Sequence, residues 1–185
     1  MMAFTEPPRA LLLNGGSSSG KTSLARRLQT VLDGYWLRLG VDTLIEAAPP
    51  KLFTEGGLDL ASDGQVGVGE DFIELENQWM TGVAAIVRAG GRVIVEENFV
   101  SGPRAQERWR RAFGAVSVAW VGVHCPAEVA TRREAARGDR VAGMAAFQAE
   151  AVHRGIRYDL EVDTSDGGYD KLAVLIHTHF FEATT

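Results

Sequence analysis

A short apolar run, Leu11-Leu12-Leu13, gives way to Asn14-Gly15-Gly16-Ser17-Ser18-Ser19-Gly20-Lys21-Thr22-Ser23, and a helical pattern follows. Gly15, Gly20, Lys21 and Thr22 fall at the spacing G-x-x-x-x-G-K-[ST]. Glycine- and serine-rich loops are common, and this pattern also arises by chance. Here both flanks agree with it: a run suited to a buried strand precedes the loop, and Leu24, Leu28 and Val31 recur at helical spacing after it. Glycines let the backbone wrap a phosphate with its N–H groups turned inward. The helix that follows adds the positive end of its dipole. Gly15, Gly16, Ser17, Ser18, Ser19, Gly20, Lys21, Thr22 and Ser23 are therefore candidate nucleotide contacts, with ATP as the cofactor. Lys21 can reach the β- and γ-phosphates and is expected to be exposed before nucleotide binds. The Thr22 hydroxyl can ligate Mg²⁺.

The rest of the chain alternates strands and helices. Strands are expected over residues 9–14, 35–39, 92–97, 116–123 and 160–162. Helices are expected over 20–32, 71–89, 103–113, 126–137, 142–152 and from Tyr169 towards Phe181, with a short one from Asp42 through Ala47. Phe72, Leu75, Trp79, Val83, Ile86 and Val87 form one stripe of the longest helix, which makes Trp79 a core residue rather than a stacking platform. The basic face of 103–113 reads as solvated. Residues 56–70, rich in glycine and aspartate, read as a long loop or a small hairpin. Alternation of this kind indicates an α/β fold with a parallel sheet covered on both faces, in a single domain spanning 1–185. Ligands bind outside the carboxyl ends of such strands. The loop, Asp42, Glu96-Glu97 and Asp163-Thr164 all follow strand ends and should share one edge, which adds Thr164 to the nucleotide contacts.

A phosphate loop alone specifies only a nucleoside triphosphate. The strand-end carboxylates narrow the reading. Asp42 can take the proton of an attacking alcohol, as catalytic base and acceptor contact, or it can cap its helix. Glu96 and Glu97 end a strand, the usual place for a carboxylate that holds Mg²⁺ through water. Adjacent strand residues point to opposite faces, so one of the two would serve the metal beside Thr22 and the other the acceptor; Glu96 is the candidate metal ligand, and both are candidate substrate contacts. Arg132, Arg133, Arg137 and Arg140 surround a Gly-Asp turn between two helices. They are either surface arginines or a lid around residues 132–143 that closes over the transferring phosphoryl group. Arg137 and Arg140, which flank the turn, are the favoured catalytic pair.

Composition excludes several classes. The formal charge of −5 over 185 residues, with no dominant basic patch, argues against nucleic acid as a partner. No run approaches a membrane span, and the N-terminus lacks the pattern of a secretory leader. Cys125 stands alone, so no intramolecular disulfide forms. The expectation is a cytoplasmic protein without a membrane partner; homo-oligomerisation is left open.

Longer stretches carry a resemblance. Residues 13–21, 40–47, 105–110, 120–123 and 158–164 are similar to the chloramphenicol phosphotransferase family, and Ala136-Arg137-Gly138-Asp139-Arg140-Val141-Ala142-Gly143-Met144-Ala145-Ala146 is the most specific match. The resemblance implies a P-loop kinase-like three-layer sandwich with a five-stranded parallel sheet and helices on both faces. It implies transfer of the ATP γ-phosphate to a primary hydroxyl of an antibiotic, which inactivates the drug. By position Asp42 matches the family's base, Lys21 its phosphate-binding lysine, and Arg137 and Arg140 its lid arginines. Where two aspartates are expected after the third strand, this chain has Glu96-Glu97 followed by Asn98, which places each carboxyl one methylene further out. The competing readings are a kinase for a metabolite alcohol and a nucleotide-binding module without catalysis.

Overall fold

The computed structural model describes residues 6–53, 56–60, 66–137 and 143–182. In chain order its elements are β1 (Ala10–Asn14), α1 (Lys21–Val31), β2 (Trp36–Gly40), α2 (Val41–Ala47), β3 (Leu58–Leu60), β4 (Val66–Val68), α3 (Glu70–Arg88), β5 (Arg92–Glu97), α4 (Pro103–Phe113), β6 (Val118–His124), α5 (Ala127–Arg137), α6 (Met144–Ala151), β7 (Leu160–Asp163) and α7 (Tyr169–Phe181). β1 is buried along its whole length, as a run of consecutive apolar residues requires. It lies at the centre of a sheet ordered β2-β5-β1-β6-β7, in which every pairing is parallel.

The pleat sends alternate residues of β1 into different cores. Leu11 and Leu13 pack with Leu24 and Leu28 of α1, Ile94, Val121, and Ile176 and Phe180 of α7. Ala10 and Leu12 pack on the other face with Met80, Val83 and Val87 of α3 and with Trp109 and Phe113 of α4. Each such side chain contributes roughly 1.5–3 kcal/mol on full burial. The three-layer α/β architecture anticipated from the alternation is present.

Residues 58–60 and 66–68 form an antiparallel pair, the hairpin alternative. Leu58 of this hairpin packs with Leu44, Leu52 and Phe72 in a third, smaller core. The stripe on α3 is displaced: Glu76, Met80 and Ala84 are buried with Phe72, Val83 and Val87. Leu75, Trp79 and Ile86 are only partly buried, and Trp79 packs against two of the cores. The basic face of α4 is not simply solvated. Arg108 forms an ion pair with the buried Glu76, and Arg110 lies 4.6 Å above the Trp120 ring. Among the described residues no helix is long and apolar enough to cross a membrane.

Candidate active site

The phosphate loop is braced from below and open above. Asn14 is fully buried; its Oδ1 accepts from the Phe99 amide at 2.8 Å and its Nδ2 donates to Val152 O at 2.9 Å. One side chain thus ties the start of the loop to the exit of β5 and the end of α6. Gly20 adopts φ +90, and a Cβ there would stand 2.7 Å from the Tyr169 hydroxyl, so both conformation and space call for glycine. Gly20 offers α1 no side-chain cap, and the N–H groups of the first helical turn have no intrahelical acceptor. Ser18 Oγ and Ser19 Oγ are buried with no hydrogen-bond partner. Unmatched donors around a loop are what an oxyanion satisfies, so the loop fits a nucleotide's phosphates. Lys21 departs from expectation. It is half-buried, and its ammonium donates to Gly15 O at 2.6 Å and Gly16 O at 2.8 Å.

β5 ends in two carboxylates that the pleat separates. Glu96 turns to the loop side, where it accepts from the Thr22 hydroxyl at 2.6 Å through Oε2 and from Arg38 Nε at 2.7 Å through Oε1. Gly40 lies opposite Glu96 in the sheet, and a Cβ there would come within 2.5 Å of the Glu96 carbonyl. That glycine allows β2 to approach closely just before Asp42. A hydroxyl beside a carboxylate is a hard, all-oxygen donor set suited to Mg²⁺.

Glu97 turns the other way. It is 3% exposed, and its Oε1 has no hydrogen-bond partner. Burial, reinforced by the nearby Glu76 charge, pushes its pKa up to about 8. Burial also raises Glu76, against the pull of Arg108. Between about pH 4.5 and 8 the folded protein keeps a proton on Glu97 that the unfolded chain releases. Stability from this group is therefore complete below about pH 4.5 and declines as pH rises towards 8, by at most about 1.4 kcal/mol per pH unit. Glu97→Gln should remove that decline. In thermal melts of nucleotide-free protein, the variant should gain on the wild type between pH 6.5 and 8; parallel curves would mean that Glu97 ionises normally in the fold.

Two clefts meet at Asp42. The first is polar and is lined by Ser17 through Ser23, Arg26, Arg38, Asp42 and Glu96. The second has apolar walls, including Ile45, Leu58, Val68 and Phe72, with Glu76, Glu97 and Gln148 among its polar lining. Val41, Asp42, Asn98 and Met144 border both. Asp42 is not the cap of α2. The helix starts at Val41 with Gly40 as N-cap and no side-chain cap bond, so Asp42 lies within the first turn.

The segment expected to form a lid, residues 132–143, is only partly described. Arg140 lies outside the described residues; Arg137 closes α5, and its side chain lies outside them as well. Arg132 is exposed. Arg133 turns away from the phosphate cleft and donates to Thr164 O at 2.6 Å and to Ser165 O at 3.3 Å, bracing the turn after β7. Thr164 is corrected from contact to support. It is fully buried, and its hydroxyl donates to Ser19 O at 2.5 Å, so its side chain acts on the loop from behind.

Several cleft residues carry no signal in the sequence. Gln148 is fully buried, accepts from the Ser17 amide at 2.8 Å, and leaves Nε2 without a partner beside the apolar cleft. Glu134 accepts from the amides of Gly143 at 3.0 Å and Ala145 at 2.8 Å, capping α6 from α5. Arg38 and Arg26 join the polar cleft through tertiary packing. For Arg38 the one available clue is alternation: it occupies an inner position of a strand ending at Gly40.

Residues 8–181 match the family of chloramphenicol phosphotransferase-like proteins. A Mycobacterium tuberculosis H37Rv protein, provisionally named an O-phosphotransferase, is 30% identical over 201 residues, covering 97% of this chain and 85% of the relative. Among solved structures, a sugar kinase from Janibacter superposes with a TM-score of 0.64 at 16% identity, covering 96% of both chains. The tunicamycin resistance protein of Deinococcus radiodurans superposes with a TM-score of 0.63 at 20% identity, covering 92% of this chain and 94% of that one. At these identities the two structures show a shared α/β fold.

Proposed function

The chain belongs to the chloramphenicol phosphotransferase-like family, and from that premise we propose that it transfers the γ-phosphate of ATP to a hydroxyl of a small antibiotic, chloramphenicol or a related compound, and so inactivates it. The observation that carries this reading is the position of Asp42, on the border between the polar cleft of the phosphate loop and the apolar cleft beside it. A phosphoryl donor in the first cleft and an alcohol in the second meet at that carboxylate. Asp42 orients the hydroxyl and takes its proton as the oxygen attacks the γ-phosphorus. One O–P bond forms, the bond from the γ-phosphorus to the bridging oxygen breaks, and ADP leaves. Lys21, Arg137 and Arg140 stabilise the charge that develops on the transferring group. Mg²⁺ arriving with the nucleotide would be held by Thr22 and Glu96 and would offset phosphate charge. Such a kinase draws on cytoplasmic ATP.

The apolar cleft supports an uncharged acceptor. Asp42, Glu76 and Glu97 line it, and Arg108, which neutralises part of that charge, is already paired with Glu76. An anionic acceptor would face the Asp42 carboxylate with no further cation among the described lining residues, a penalty of several kcal/mol. With γ-labelled ATP and a panel of alcohols, uncharged hydroxyl-bearing antibiotics should be labelled at least about a hundredfold faster than hydroxy acids or sugar phosphates. Label appearing only on hydroxy acids would overturn the acceptor assignment. ATP binding without transfer to any acceptor would leave a nucleotide-binding module.

A further inference from the structure

Glu96 is held from two sides. Its Oε2 accepts from Thr22, and its Oε1 accepts from Arg38 Nε. Arg38 retains 28% side-chain exposure and Glu96 13%, so the pair is partly shielded but faces the cleft. Arg38 is fixed at its base, opposite Ile94 in the sheet, while its guanidinium end borders the polar cleft with Lys21 and Arg26. A guanidinium carries five N–H donors in a rigid fork. The bond to Glu96 engages one of them, which leaves the remainder of the fork in a cleft built to receive phosphate. Both oxygens of Glu96 are occupied, so a divalent cation reaching this carboxylate competes with Arg38 for its charge. Arg38, anchored in β2, stays in the cleft when it lets go, and the nucleotide's phosphates are the anions that arrive there.

We propose that Arg38 is a hand-over cation: it holds Glu96 in the nucleotide-free protein and exchanges that carboxylate for the phosphates when metal takes Glu96. The inference rests on the polar cleft being the ATP site. It makes Arg38 a contact for the transferring nucleotide, distinct from Arg137 and Arg140. It also gives two affinities of opposite sign. Arg38 hinders a metal ion binding alone, and it helps phosphates bind once metal holds Glu96. A charge-assisted hydrogen bond is worth about tenfold in either equilibrium.

The test is binding, read independently of turnover. Free Mn²⁺ is titrated by electron paramagnetic resonance without nucleotide, and ADP is titrated calorimetrically at saturating Mg²⁺. The chains compared are wild type, Arg38→Gln and Arg38→Lys. Arg38→Gln should bind Mn²⁺ about tenfold more tightly and, at saturating Mg²⁺, ADP about tenfold more weakly. Arg38→Lys keeps the charge without the fork and should fall between the two in both titrations, which preserves the test if the glutamine variant fails to fold. Weaker Mn²⁺ binding by Arg38→Gln would mean that Arg38 arranges Glu96 for the metal, and unchanged affinities would mean a purely structural ion pair; either overturns the proposal. A wild-type protein that binds no ADP at all overturns the ATP-site reading itself, whereas wild-type binding with no difference among variants overturns the hand-over alone.

Discussion

Asp42→Asn is expected to reduce phosphoryl transfer at least a hundredfold while leaving melting and ATP affinity near normal. Loss of a general base costs about 10²–10⁴ in rate, or roughly 3–5 kcal/mol of barrier. Phosphoryl transfer tolerates late deprotonation, so part of the loss belongs to orientation of the alcohol. A helix cap would give a different signature, about 0.5–2 kcal/mol of stability with little effect on rate. The fold separates these cases, because α2 is capped at Gly40 and makes no side-chain cap bond. Asparagine also keeps the size of the side chain at the border of the two clefts. The variant should therefore lower kcat without raising the ATP Kd. Near-normal transfer would move the base to Glu96 or Glu97, which line the polar and the apolar cleft.

Lys21→Ala should produce the second large loss. Its ammonium lies on the Gly15 and Gly16 carbonyls, which keeps a cation at the floor of the loop before any phosphate arrives. On nucleotide binding those bonds are exchanged for phosphate oxygens, and the charge is then placed where negative charge develops in the transition state. Removing one such preorganised donor costs about 10²–10³ in kcat. The same truncation leaves the carbonyls of the buried Gly15 and Gly16 without the ammonium, so the stability cost should be about 1–3 kcal/mol, well below the loss in rate. Paired kinetics and thermal melts check both figures. A variant with full turnover would mean that the loop does not position the phosphoryl donor. Lys21→Arg should not rescue, because a planar fork does not replace a compact ammonium in so short a reach.

The parts of the site legible in the sequence are those written locally. The phosphate loop is a fixed spacing flanked by a strand and a helix, and its residues Ser17 through Ser23 do line the polar cleft. Asp42 and the Glu96-Glu97 pair are strand-end residues, and a parallel sheet gathers its strand ends along one edge. The pleat alone separates Glu96 from Glu97, although which carboxylate faces the loop depends on register: Glu96 stands opposite Leu13 and Gly40.

What stayed hidden depends on contacts between distant segments. Gln148 reaches the Ser17 amide across 131 positions of sequence, and Arg108 meets Glu76 across 32. No periodicity encodes either contact. The solvated reading of the arginines on α4 failed because a buried carboxylate on α3 draws Arg108 inward. Thr164 shows the opposite error. Its place at a strand end was legible, but its complete burial, which turns it from a ligand contact into a support for Ser19, was not. The alternative that Asp42 caps its helix missed by two residues, because the extended Gly40 already ends the strand and caps the helix.

The most direct test is to incubate the purified protein with γ-labelled ATP, Mg²⁺ and chloramphenicol, then to follow the label and identify the product by mass and phosphorus NMR. The account predicts one phosphoryl group on a chloramphenicol hydroxyl for each ADP formed, with no such product from Asp42→Asn. Release of labelled inorganic phosphate at a rate indifferent to chloramphenicol and to every other hydroxyl compound tried would contradict it.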